Sequence, residues 1–305
     1  MKRFFSFLVC IAFSLSLIGC NKKDNNTSSI NLVTSFYPIY IITMNITDGI
    51  DGINVVTIAN QNTGCLHDFQ LQPEDIRNIE KADAFIINGA GMESFMDKVT
   101  NEIPNLKVID SSLGIELIPN NDNDAHHDHD EEHNHSNYNT HIWLSISNYI
   151  KQVENIRDSL ISIDPNHKEQ YKLNSEKYIN ELKILRDEIN NGLENISSRD
   201  IVTFHNSFPY FAKEFNLNIA GVINSEPNSE PSAQELSNII EIVNELSVKS
   251  IFVEPQYPLT TANIIANETN CKIYTLDSAV TGEVSKNAYI NAMHSNLDVL
   301  REALS

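Results

Sequence analysis

Along this chain, short unbroken apolar runs alternate with stretches in which apolar residues recur at helical spacing. Ile30 to Phe36 (INLVTSF), Ile53 to Ala59 (INVVTIA), Ala84 to Ile87 and Leu106 to Ile109 read as buried strands. Between them, Pro38 to about Asp48, a stretch opened by Pro73-Glu74-Asp75, and Met92 to about Asn101 read as helices. Proline suits the first turn of a helix, and the two carboxylates suit its positive end. Strands alternating with helices predict a mainly parallel α/β sheet.

The second half repeats that rhythm after a long helical interval. Ile146 to about Ile161 is one helical pattern, and Asp164-Pro165 then supplies an N-cap and a first-turn proline. Tyr171, Tyr178, Leu182, Leu185, Ile189 and Leu193 keep one face apolar. That predicts a helix of roughly 30 residues, about 45 Å long, suited to a rigid spine between two lobes. Strands follow at Ile201–Phe204, Asn218–Val222, Ile251–Val253 and Lys272–Leu276. Helices separate them at Phe208–Phe215, from the capping box Ser232/Glu235 to about Leu246, and at Ala262–Thr269, and Lys286–Leu304 closes the chain. No solenoid-type repeat is present. The expected fold is α/β, with two Rossmann-like lobes, each a mainly parallel sheet flanked by helices. Residues 30–163 form the first lobe and 197–305 the second, joined by one long rigid helix over 164–196.

The N-terminus changes the picture of where such a fold works. Met1-Lys2-Arg3 precedes an apolar stretch, Phe4 to Ile18, of signal-peptide length and too short to span a membrane. It ends Leu17-Ile18-Gly19-Cys20, which resembles the bacterial lipobox. Residues 1–19 are therefore expected to leave as a signal peptide, Cys20 to carry lipid, and 20–29 to act as a flexible tether. The protein would then be extracytoplasmic and lipid-anchored to the cell membrane, on the periplasmic side or the outer face. Of the four cysteines, Cys10 leaves with the signal, and a Cys65–Cys271 bridge is permitted in that setting but not fixed by the sequence.

Formal net charge is -20, and loss of Lys2 and Arg3 makes it -20 - 2 = -22. With no basic patch, nucleic acid is excluded as a partner, whereas an acidic surface collects cations. Asp124 to Trp143 (DAHHDHDEEHNHSNYNTHIW) carries six of the ten histidines among carboxylates. Imidazole and carboxylate together suit borderline divalent cations. Two readings stay open at this point: the tract is itself the site, or it collects metal beside a site built elsewhere. Candidates for the latter follow strands or sit in connected loops, where α/β sheets gather ligands. They are His67, His141, His205 and Asp277. Three imidazoles and a carboxylate make a four-coordinate shell for a cation such as Zn²⁺, although the four residues form no local motif.

The surrounding segments are more specific. SFYPIY at 35–40, HDFQLQPEDI at 67–76, ADAFIINGAGME at 82–93, THIWLS at 140–145 and FHNSFPYFAKEF at 204–215 belong together. With SEPS at 229–232 and LDSAVTG at 276–282, they resemble the metal-binding receptors of bacterial ABC importers, the zinc/manganese/iron solute-binding family. The resemblance covers residues 30–305 and is nearest to the ZnuA-type zinc receptors. It implies a monomeric receptor, not an enzyme, that captures Zn²⁺ between two lobes for an ABC permease and its ATPase. His67, His141 and His205 would be its nitrogen ligands and Asp277 its acidic fourth. At the third position manganese-type members tend to have glutamate and zinc-type members histidine, so His205 fits the zinc branch, and Mn²⁺ or Fe²⁺ is the alternative cargo. His126, His127, His129, His133 and His135 then form an accessory metal loop within 121–139. One departure is that Asn139-Thr140 stands where the family usually has Asp-Pro. Another is Cys65, placed where a cysteine is not expected, which reads as a small structural residue in preference to an alternative thiolate ligand. His167 and His294 match no ligand position. A zinc hydrolase would need a placed general base, as in HExxH, and the chain has no such motif.

Overall fold

The computed structural model describes residues 29–59, 66, 69–120, 137–223 and 231–305. The first lobe runs β1 (Ile30–Thr34), α1 (Tyr37–Ile46), β2 (Ile53–Thr57), α2 (Pro73–Glu80), β3 (Ala84–Ile87), α3 (Met96–Glu102) and β4 (Val108–Asp110). Two helices follow, α4 (Ile146–Ile163) and α5 (Lys168–Gly192). The second lobe runs β5 (Asp200–Thr203), α6 (Pro209–Phe215), β6 (Asn218–Val222), α7 (Ala233–Glu245), β7 (Ser250–Val253), α8 (Thr260–Thr269) and β8 (Lys272–Thr275), and α9 (Ala288–Leu304) ends the chain.

The sheets are ordered β2-β1-β3-β4 and β6-β5-β7-β8, with every pair parallel. In each lobe the second strand lies on one side of the first, and the chain then crosses to the other. That reversal opens a crevice at the carboxyl ends of the central strands, where parallel sheets bind ligands.

Two helices differ from the sequence pattern. The spine α5 has 25 residues, about 37 Å at 1.5 Å per residue, because residues 165–167 make a separate 3₁₀ turn before it and it ends at Gly192, short of 196. Tyr171 donates to the Asp164 carboxylate at 3.0 Å and ties that turn to the spine. All six residues of the expected apolar face are buried. Helix α3 begins at Met96, not at Met92. Gly89, Ala90 and Gly91 have left-handed backbones (φ 78°, 54° and 85°), and the Glu93 carboxylate accepts from the backbone N–H of Asn88 (2.7 Å) and Gly89 (3.0 Å). A side chain on Gly89 would meet the Asp110 carboxylate at 1.9 Å.

The main apolar core does not stop at the lobe boundary. It joins Leu32, Phe36 and Ile86 of the first lobe to Phe252 and Leu276 of the second through Tyr178, Leu182 and Ile189 of the spine. Tyr149 of α4 stacks on Tyr289 of α9 with ring centroids 3.8 Å apart. Smaller clusters back the outer face of each sheet. Cys271 is a buried free thiol that donates to the Val248 carbonyl, while Cys65 lies outside the described residues. No described helix is long and apolar enough to cross a membrane. Residues 1–28, with the expected signal peptide and Cys20, are outside the described residues.

Candidate metal site

His141 and His205 reach the crevice from opposite lobes. His141 follows an isolated antiparallel bridge, Pro119 to Tyr138, which holds together the two ends of the His-rich loop. It leads into a 3₁₀ turn, Ile142–Leu144, whose three side chains are buried. Trp143 in that turn donates its indole N–H to the Ser278 carbonyl at 2.8 Å, across to the second lobe. Ser145 then caps α4 by accepting from the Asn148 N–H at 3.1 Å. His205 lies two residues past β5, and Ser207, two residues on, donates its N–H to the His205 carbonyl at 2.9 Å.

The two imidazoles are buried, and their Nε2 atoms stand 3.3 Å apart. The rings meet edge to face, with an interplanar angle of 75°. Two Zn–N bonds of about 2.05 Å at a tetrahedral angle span about 3.3 Å. The observed separation matches the edge of such a tetrahedral shell.

Around the pair lies a hydrogen-bond frame centred on Asn139. Its Oδ1 lies 3.0 Å from the backbone N–H of His141 and 3.1 Å from His141 Nδ1. Its Nδ2 donates to the Asn206 carbonyl in the other lobe at 2.8 Å. Tyr210 donates to the Asn139 carbonyl (2.8 Å) and accepts from the Ile118 N–H (2.9 Å). Burial raises the pKa of that tyrosine, keeping it a neutral donor.

Acidic groups complete the second lobe's side of the crevice. Asp277 follows β8, half-buried, with Oδ1 accepting from the Ala279 N–H at 2.7 Å. Asn296 clasps its backbone on both sides at 2.7 Å. Burial raises the Asp277 pKa. Glu254 follows β7, is 1% exposed, and accepts from the Ser207 hydroxyl at 2.7 Å. Burial pushes its pKa up to about 7, with the Asp277 charge adding to the shift. His205, Glu254 and Asp277 thus follow three adjacent strands, β5, β7 and β8. Sequence reasoning missed Glu254, yet the rule that selected His205, a polar residue just past a strand, applies to it equally.

Of the expected ligands, the structure brings His141 and His205 into contact and sets Asp277 in a neighbouring loop. Among the described residues, no three His, Cys, Asp or Glu side chains cluster closely enough to hold a metal ion. His67, the accessory histidines 126, 127, 129, 133 and 135, and residues 224–230 lie outside the described residues. A groove of about 450 Å³ opens nearby between α6, β6 and α7. Its walls combine apolar residues such as Ile118, Leu217 and Ile239 with Asn206 and Lys213, and include no carboxylate, imidazole or thiol to seat a cation.

Comparisons with known proteins place the chain as a whole. A family profile described as "ZnuA: Zinc-uptake complex component A periplasmic" matches residues 32–303. The zinc-binding lipoprotein AdcA of Streptococcus pneumoniae serotype 4 is 30% identical over 97% of this chain, and the chain spans only 60% of that relative's length. The manganese-binding lipoprotein MntA of Halalkalibacterium halodurans is 25% identical over 99% of this chain and 98% of its own. The crystal structure of a Zn(II)-bound mutant variant of AdcAII of Streptococcus pneumoniae superposes with a TM-score of 0.78 at 28% identity, covering 91% of this chain and 99% of that one.

Proposed function

This chain belongs to the ZnuA family of zinc-uptake complex components, receptors and not enzymes, and on that premise we propose that it captures Zn²⁺ between its lobes and delivers it to an ABC-type permease. The observation that carries this reading is the 3.3 Å approach of His141 Nε2 to His205 Nε2, one from each lobe. Both are nitrogen donors, which favour Zn²⁺ over the oxygen-preferring Mn²⁺. His67 and Asp277 are the ligands that would complete the shell, one from each lobe. The metal is cargo here, gripped across the crevice and released whole.

The same reading places the protein outside the cytoplasm, held on the membrane by lipid on Cys20 and working as a monomer with the permease and its ATPase. Histidines 126, 127, 129, 133 and 135 serve it as a weaker collector. Manganese is the second reading, favoured by the match to MntA. Competition calorimetry with Zn²⁺ and Mn²⁺ on wild type and His205→Glu separates the two. The expected result is that wild type binds Zn²⁺ far more tightly and that the variant shifts toward Mn²⁺. Equal affinity of wild type for both metals would overturn the zinc assignment.

A further inference from the structure

The amide of Asn139 has only one orientation that satisfies its neighbours. The backbone N–H of His141 can only donate, so the atom facing it at 3.0 Å is the oxygen Oδ1. The Asn206 carbonyl can only accept, so the atom facing it at 2.8 Å is the nitrogen Nδ2. His141 Nδ1 lies 3.1 Å from that same Oδ1. An unprotonated Nδ1 would there oppose an oxygen lone pair, so Nδ1 carries the proton. In a neutral imidazole that leaves Nε2 as a bare lone pair. Nε2 is the atom that faces His205, whose own Nε2 lies 3.3 Å away.

We propose that Asn139 is a positioning residue for metal capture, which holds His141 in the tautomer whose Nε2 is ready to ligate and takes its own orientation from the opposite lobe through Asn206. The inference rests on the receptor reading above for its consequence but not for its geometry. A ligating histidine is oriented by the partner of its other ring nitrogen, and loss of such a partner costs about 10–100-fold in metal affinity. Here the partner is a neutral amide whose direction is set by a residue next to the second histidine. The Asn139–Asn206 bond therefore couples this arrangement to the position of the opposite lobe.

Long-range ¹H–¹⁵N spectra of the metal-free protein read the tautomer, with the His141 signals assigned by their loss in His141→Gln. Wild type shows the Nδ1–H form. Asn139→Ala loses that preference and binds Zn²⁺ about 10–100-fold more weakly. Asn139→Asp, which keeps an acceptor facing His141, restores the tautomer and most of the affinity. An Nε2–H tautomer in wild type overturns the proposal whatever the variants do, including a failure of Asn139→Ala to fold. So does an affinity loss in Asn139→Ala with the tautomer unchanged, which would mark a merely structural role. Because the tautomer is read without metal, failure of the zinc assignment leaves this test intact.

Discussion

The indole of Trp143 lies 5.2 Å, centroid to centroid, from the His141 imidazole and is completely shielded from solvent. It also packs edge-on against Phe36 at 5.0 Å. Trp143 is the only tryptophan in the chain, so intrinsic emission reports this one place. Emission is expected at short wavelength without metal and to change in a single saturable step as Zn²⁺ is added. His141→Gln abolishes the step while leaving the starting spectrum near its original position. A titration with no spectral change in wild type that calorimetry shows to be binding would contradict the assigned geometry.

Glu93 supplies a pH dependence of stability. It is buried with no charged partner among the described residues, and burial raises its pKa from 4.5 to about 7. A carboxyl raised on folding stabilises fully below its ordinary pKa, and that contribution is lost as pH rises through about 7. The span is at most about 3 kcal/mol, at 1.36 kcal/mol per unit. Denaturant unfolding of the chelator-treated protein between pH 5 and 8 measures it against Glu93→Gln. The variant gains on wild type as pH rises, whatever its offset from the altered hydrogen bonds to Asn88 and Gly89. Parallel pH curves would refute the assignment.

Glu214 of α6 caps a helix of the other lobe. Its carboxylate accepts from the Ser147 N–H at 3.1 Å and from the Ser147 hydroxyl. Ser147 sits in the first turn of α4, where unpaired N–H groups and the helix dipole favour an anion. Glu214→Ala should cost about 1 kcal/mol by denaturant unfolding. Zn²⁺ affinity should stay within a few-fold of wild type, since the core and not this cap holds the lobes. A loss of affinity as large as that of His205→Ala would show that the cap controls the site.

Deleting residues 122–136 tests the accessory role of the His-rich loop. Asn120 N–H bonds to the Asn137 carbonyl at 3.0 Å and Asn139 N–H to the Ile118 carbonyl at 2.8 Å, so the loop's two ends already meet. The shortened chain should keep one tight Zn²⁺ site and lose only weaker ones in calorimetry. Loss of the tight site would move the primary ligands into the loop.

Much of this architecture is legible from the alternation of apolar runs and helical faces. Short Val/Ile-rich strands are buried on both sides, and the six apolar spine residues mark α5 directly. The start of α3 was not legible, because side-chain pattern does not reveal that Glu93 is turned onto the backbone of Asn88 and Gly89. His141 and His205 stand out as residues next to strands and loops of recognisable type. Their contact is invisible to spacing, since it depends on two lobes meeting. Asn139 and Tyr210 act through bonds to distant backbone, and Glu254 reads in sequence as an ordinary acidic residue after a strand. Buried polar frames of this kind follow from packing, not from local pattern.

The apolar interior common to both lobes has a consequence for how this protein can be divided. A chain cut between α4 and α5 would not release two self-sufficient halves. Each fragment would carry into water one side of a surface built to face Tyr178, Leu182, Ile189 and the Tyr149–Tyr289 stack. The lobes look like a duplicated design in their strand order, yet they share one core. Fragments co-expressed from two reading frames would have to find each other before either could persist.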